Sequence, residues 1–166
     1  MPDWISDLYR LKETLREGWL RIGVEDPESV ADHSYATALL AWRMARRKGL
    51  DERRVLLMSL LHDFHEARLG DIPSPEKRAM GLEKVRAEER KIEALQWAED
   101  PEVIGLLDEL RIGESEEARL VHAVDGLELL LQARLYRDSG HEEAEDFIRS
   151  ALESSQVRVL LSEIEE

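Results

Sequence analysis

The sequence predicts an all-α protein, a single-domain bundle of helices covering residues 1–166. Three observations lead there. Apolar side chains recur at three- and four-residue spacing almost throughout, and helix start and stop signals punctuate them at short intervals. No stretch alternates Val, Ile and aromatic residues as a half-buried strand would. A chain of 166 residues is also long enough for one domain with a substantial core and short for two.

The elements follow in order. Trp4, Leu8, Leu11 and Leu15 recur at helical spacing, and that first helix is expected to end near Gly18, with a loop to Asp26. Asp26-Pro27-Glu28 reads as N-cap, first helical position and first-turn acid, opening a second helix that runs to about Lys48 and stops at Gly49. Asp51 caps a third, whose apolar run from Val55 to Leu61 predicts deep burial. It is expected to persist to about Gly70, because Pro73 and Pro75 forbid more. Ser74 opens a long polar helix through Trp97, and Asp100-Pro101 starts another that Gly113 ends. Glu114 to about Arg137 forms a leucine-rich helix, and Gly140 separates it from one or two terminal helices, roughly 141–152 and 156–164. The mixed-sign run from Glu83 to Glu93 reads as a solvated helix face.

Composition narrows the function. Hydrophobic residues at 43% can build a core, and charged residues at 36% imply a heavily solvated surface. The net charge of −14, from 23 basic and 37 acidic residues, repels a polyanion, so no nucleic-acid polymer is expected as partner. A single nucleotide stays compatible, since one phosphate needs only a local group of donors. The opening Met1-Pro2-Asp3-Trp4 lacks a basic n-region and an apolar h-region, so no secretory signal is expected. No apolar stretch approaches the ~20 residues of a membrane helix. The absence of cysteine removes disulfides, thiolate metal sites and thiol nucleophiles, and fits a cytoplasmic protein.

The strongest chemical signal is His62-Asp63 at the end of the apolar Val55–Leu61 run. Such groups are costly to bury unless something satisfies them, and a divalent cation would satisfy both. Neighbouring helical residues point ~100° apart, so other elements must supply the opposite ligands. His33, among Val30, Ala31, Ala36 and Leu40, is one candidate, and Asp125, in Ala123-Val124-Asp125-Gly126-Leu127, is another. Alone, each has an ordinary structural explanation: a core histidine bonded to a carbonyl, or a capping or ion-paired aspartate. Two imidazoles and two carboxylates together suit Mn, Fe, Co, Ni or Zn better than Ca.

The order His33 … His62-Asp63 … Asp125 resembles the defining ligand order of the HD-domain phosphohydrolase superfamily. Further segments resemble its 5′-deoxynucleotidase branch: Arg10-Leu11-Lys12 with Arg16 and Trp19, Glu28-Ser29-Val30-Ala31-Asp32-His33-Ser34, Asp63-Phe64-His65-Glu66 with Gly70-Asp71-Ile72-Pro73-Ser74-Pro75, and Leu120 to Asp125 leading into Leu131-Gln132-Ala133. The resemblance runs from about Arg10 to Ala133. It implies an HD-type helical bundle, hydrolysis of deoxyribonucleoside 5′-monophosphates to deoxyribonucleoside and phosphate, a divalent transition metal, and a homodimer.

The physical reading of the added residues agrees. Glu66, at i+4 from His62 and i+3 from Asp63, could orient or deprotonate an attacking water, or be an exposed acid at a helix end. Arg16 is either a phosphate clamp, its planar fork matching phosphate oxygens, or a surface cation near a helix C-terminus. Trp19 either packs on base or sugar or anchors the core. Asp71 either meets a sugar hydroxyl or caps the next segment. Lys77 is a weaker second cation, after the family's basic position beyond the second proline. His65 and His122 are not family ligand positions, His141 reads as surface, and Gly126 is expected to give room near the metal. Two other functions remain open: an HD-type hydrolase of a triphosphate or cyclic nucleotide, and a non-catalytic helical metal-binding scaffold.

Overall fold

The computed structural model describes residues 3–165, so Met1 and Pro2, where no secretory signal is expected, and Glu166 lie outside the described residues. Eleven helices are found among them: α1 Asp3–Glu13, α2 Glu17–Arg21, α3 Val30–Lys48, α4 Glu52–Leu61, α5 Glu66–Leu69, α6 Ser74–Met80, α7 Leu82–Gln96, α8 Pro101–Ile112, α9 Glu116–Asp138, α10 Ala144–Leu152 and α11 Ser155–Glu165. No strand occurs among the described residues. The bundle is organised on α9, which packs against α3, α4, α8, α10 and α11. Val124, Leu127, Leu130 and Ala133 of α9 are fully buried there, with Ala41 and Ala45 of α3 and Val55 and Met58 of α4.

Several helix ends follow their local signals. Asp100 accepts a hydrogen bond from Val103 N at the head of α8, and Gly113 closes that helix at φ 71°, as Gly49 closes α3 at φ 70°. Elsewhere the tertiary structure redraws the boundaries. α3 begins at Val30 and not at Pro27, because Ser29 and Asp32 form a capping box that satisfies two free backbone donors. The expected long helix from Ser74 is split at Gly81, where φ is 92°. In α1 the buried positions are Asp7 and Leu11, while Trp4 and Leu8 are exposed. Leu60 of the apolar run in α4 is exposed too.

Two departures position the functional residues. The first is a break between α1 and α2, where Leu15 and Ser29 form an isolated antiparallel bridge. Arg16 N donates to Glu28 O at 3.1 Å and Val30 N to Thr14 O at 2.8 Å. The chain bends there, and Arg16 is carried off the helix to sit beside the start of α3. The second follows α4. Beyond Leu61, Phe64, Glu66, Ala67 and Arg68 donate to carbonyls three residues back, a tighter track than the α-helix. Residues i and i+3 eclipse in such a track, so Glu66 is stacked over Asp63. The i+4 relation to His62 expected of one continuous helix does not apply.

Candidate metal centre and active site

His33 rises from the first turns of α3, His62 and Asp63 from the end of α4, and Asp125 from the middle of α9. The docking of these three helices brings the four side chains together. His33 Nε2 lies 3.1 Å from Asp125 Oδ1 and 3.9 Å from Asp63 Oδ2; His62 Nε2 lies 3.0 Å from Asp63 Oδ2 and 3.9 Å from Asp125 Oδ1. His33, His62 and Asp63 each offer one ligand atom within 4.8 Å of the other two. A cation with bonds of about 2.0–2.2 Å can span such separations. Both Nε2 atoms are buried and have no hydrogen-bond partner, close carboxylates notwithstanding. They point at a shared centre, not along N–H···O lines. The donor set therefore fits a divalent cation. Asp125 is 41% exposed and opens that centre to the cleft.

The remaining ring nitrogens are anchored. His33 Nδ1 and Glu128 Oε2 are 2.5 Å apart in the core, and His62 Nδ1 is 2.8 Å from the Ser59 carbonyl. Each partner fixes the ring so that Nε2 faces inward. Glu128, one turn beyond Asp125 on the buried α9, carries a role that sequence reasoning missed. A second acid inside that apolar helix was the available signal.

The electrostatics are those of a cluster short of positive charge. Burial opposes a charged His33, but the adjacent carboxylates, Asp125 3.1 Å from Nε2 and Glu128 2.5 Å from Nδ1, prevail and push it up to about 10. Burial opposes charge at His62 as well, and the neighbouring Asp63 and Asp125 raise it. Burial would raise Asp63, yet the two imidazoles and Arg16 hold it well below its usual range. Asp125 is likewise lowered against burial, by His33 and His62. Without a cation the carboxylates favour the protonated form of both imidazoles. A divalent ion would displace those protons.

Glu66, only 3% exposed, stands beside this cluster. Burial, reinforced by Asp63 and Asp71, drives its carboxyl well above the ordinary range. The turn that carries it is tied down by Asp7, a buried residue with no sequence signal. Asp7 Oδ2 accepts from Arg68 Nε at 2.7 Å and from Gln96 Nε2 at 3.1 Å, joining α1, α5 and α7.

Arg16 sits 3.7 Å from Asp63 and 3.9 Å from Glu28, mostly buried. It faces the centre and is not a surface cation. Asp71 caps α2 from across the fold, accepting from Glu17 N at 2.6 Å, and does not cap the segment that follows it. Trp19 is a core anchor at 1% exposure: its indole N–H donates to Glu28 at 2.9 Å and its ring packs on Tyr136 and Phe147. It also lines the cleft wall, so of its two expected roles the structure shows the core anchor. Lys77 Nζ reaches Glu89 at 2.9 Å and Glu66 at 3.9 Å.

These residues line one cleft of about 510 Å³, with Asp63, Asp125 and Glu66 near Arg16, Asp71, Lys77 and Arg78, and with Phe147, Asp146 and Ser150 of α10 on its rim. That volume suits a mononucleotide. The α10 wall was invisible in the sequence. Gly126 lines the cleft too, but a Cβ there would meet Val157 Cγ2 at 3.0 Å, so its smallness serves the approach of α11. His122 Nε2 donates to the Leu110 carbonyl at 2.8 Å and stays outside the cluster. The run expected to be a solvated face is partly buried: Glu93 is a core residue paired with Arg111, and Glu89 is paired with Lys77. No helix among the described residues is long and apolar enough to cross a membrane.

Comparison with known proteins places this arrangement. The mouse protein "5′-deoxynucleotidase HDDC2" is 37% identical over 133 residues, 78% of this chain and 66% of the mouse protein, so the match spans just under two thirds of that relative. A conserved hypothetical protein from Pyrococcus furiosus is similar throughout, with a TM-score of 0.80, 31% identity and 98% of each chain covered. The cyanophage S-2L HD phosphohydrolase DatZ, solved bound to dA and one catalytic Zn²⁺ ion, shares the fold at a TM-score of 0.60 and 20% identity, over 94% of this chain and 95% of that one. Residues 8–165 match the HD domain. The chain, whose four clustered side chains all fall inside that match, belongs to the HD domain family.

Proposed function

We propose that the protein is a phosphomonoesterase, dependent on a divalent transition metal, that hydrolyses deoxyribonucleoside 5′-monophosphates to deoxyribonucleoside and phosphate. One observation carries the reading: two buried imidazole nitrogens without partners converge on two carboxylates that line a nucleotide-sized cleft, which a buried carboxyl and a guanidinium also line. Similarity to "5′-deoxynucleotidase HDDC2" supports the substrate class.

His33, His62, Asp63 and Asp125 hold the ion, and their mixed N/O chemistry favours Mn, Fe, Co, Ni or Zn. When bound, it supplies Lewis acidity toward a phosphate oxygen and toward water. Arg16 pairs with the non-bridging oxygens as charge shifts in the transition state, which a cleft lined by Asp63, Glu66, Asp71, Asp125 and Asp146 otherwise repels. Glu66 takes the proton of the attacking water as the O–P bond forms, and returns it to the 5′ oxygen as the ester bond breaks. Asp71 holds the Arg16–Glu17 turn and faces the sugar. Residues 1–166 act as one domain, and the acidic surface favours a small nucleotide over a nucleic-acid polymer. The reading carries a cytoplasmic homodimer; cysteine-free composition and exposed apolar side chains such as Tyr35, Leu39 and Leu135 support it.

Released phosphate, measured over deoxy and ribo mononucleotides with Mn or Co, tests this. Deoxy 5′-monophosphates are expected to be the best substrates. Arg78 and Lys77 on the same cleft favour one competing reading, a longer phosphate chain. Pyrophosphate or triphosphate as the main product would install that reading in place of ours.

Glu128→Gln is expected to weaken cation affinity by roughly 10- to 100-fold, because the His33 ring loses the carboxylate that orients it. Titration against a competing chelator measures it. Unchanged affinity would remove Glu128 from the site.

A further inference from the structure

The cleft residues leave one buried group unexplained. Glu66 has an Oε2 atom with no hydrogen-bond partner, and the only cation at its Oε1 among the described residues is Lys77, 3.9 Å away. Lys77 sits on α6, a short helix with no buried residue of its own. What fixes Lys77 is Glu89 of α7, at 2.9 Å. Glu89 in turn lies 3.6 Å from Nε2 of His65, the residue directly before Glu66. The chain of contacts therefore closes on itself: Glu66, Lys77, Glu89, His65, and back through one peptide bond.

The other side of His65 supplies a built-in comparison. Glu93, one turn beyond Glu89 on α7, lies 3.6 Å from His65 Nδ1. Its cation is Arg111 of α8, so Glu93 flanks the same imidazole and is paired away from Lys77. The two glutamates share a helix and a neighbour, and differ in whether their cation reaches Glu66. Lys77 carries a formal +1 that could otherwise turn toward a phosphate in the open cleft. Glu89 restrains it at the carboxyl.

We infer that Glu89 is a positioning residue, holding Lys77 against Glu66 so that the Glu66 carboxyl stays aimed at the attacking water. The inference rests on the phosphomonoesterase reading. Lys77 then acts mainly on Glu66 and only secondarily on substrate. A carboxylate buried without a nearby cation would turn toward solvent or rearrange. Displacing a reacting group by about an ångström costs on the order of 100-fold in rate.

The experiment compares Glu89→Gln and Glu93→Gln in the metal-loaded protein, with phosphate release from a deoxyribonucleoside 5′-monophosphate, metal content and melting temperature as readouts. Glu89→Gln is expected to lower kcat by roughly 10- to 100-fold with KM and metal content unchanged. Glu93→Gln is expected to keep wild-type kcat even if it melts lower. Wild-type kcat in Glu89→Gln, or equal losses of kcat in both variants, would overturn the positioning role while leaving the phosphatase reading intact. A metal-loaded wild type that hydrolyses no phosphomonoester would overturn both together.

Discussion

Asp63→Ala is expected to yield a folded protein that neither retains a divalent cation nor releases phosphate. Asp63 Oδ2 is the hub of the cluster, 3.0 Å from His62 Nε2, 3.9 Å from His33 Nε2 and 3.7 Å from Arg16. Its loss leaves two imidazoles and a guanidinium facing Asp125 alone, a set that repels a cation more than it attracts one. The several kcal/mol of charge stabilisation that an ion contributes correspond to roughly a 1,000-fold or greater fall in kcat/KM. Metal analysis of the purified variant, run beside chelator-stripped and reloaded wild type, reads this directly. Reloading is expected to restore the wild type and not the variant. A variant that keeps a full complement of cation would show that the ion sits elsewhere.

Glu66→Gln is expected to separate binding from chemistry. The amide nearly matches the carboxyl in size, and Glu66 is not one of the four converging side chains, so metal content should equal that of the wild type. Turnover should fall by about 100- to 10,000-fold, the usual contribution of a positioned proton-transfer group. Stability should move the other way. Burial and the neighbouring Asp63 and Asp71 already disfavour a charged Glu66, so a neutral side chain removes that repulsion. The cation-free variant is therefore expected to melt no lower than the cation-free wild type, the trade of stability against activity common at catalytic positions. Calorimetry and single-turnover phosphate release on the same samples check both halves. Wild-type turnover in Glu66→Gln would end its assignment as the proton carrier.

Much of the site was legible because its members break a local rule. His33, His62 and Asp125 each interrupt an apolar helical face, and a polar group in such a place has to be satisfied by something. Glu128 breaks the same rule one turn from Asp125, and only its pairing with His33 was hidden. Asp7 gave no such warning, because its neighbours Trp4 and Leu8 look like the buried face and are in fact exposed. Arg16 and Trp19 were readable as residue types and ambiguous as roles. The bridge between Leu15 and Ser29 decides both, turning Arg16 toward Asp63 and Trp19 into the core.

Periodicity, caps and breakers act over a turn or two of chain, so the sequence by itself determined the all-α class, the glycine stops of α3 and α8, and the identity of the groups able to bind a cation. The tertiary structure decided which of them meet. The α10 wall of the cleft, the pairing of His33 with Glu128 and the capping of α2 by Asp71 all depend on helices far apart in the chain packing against one another. Packing at that range is governed by the shape and burial of whole faces, and no short window of residues encodes it.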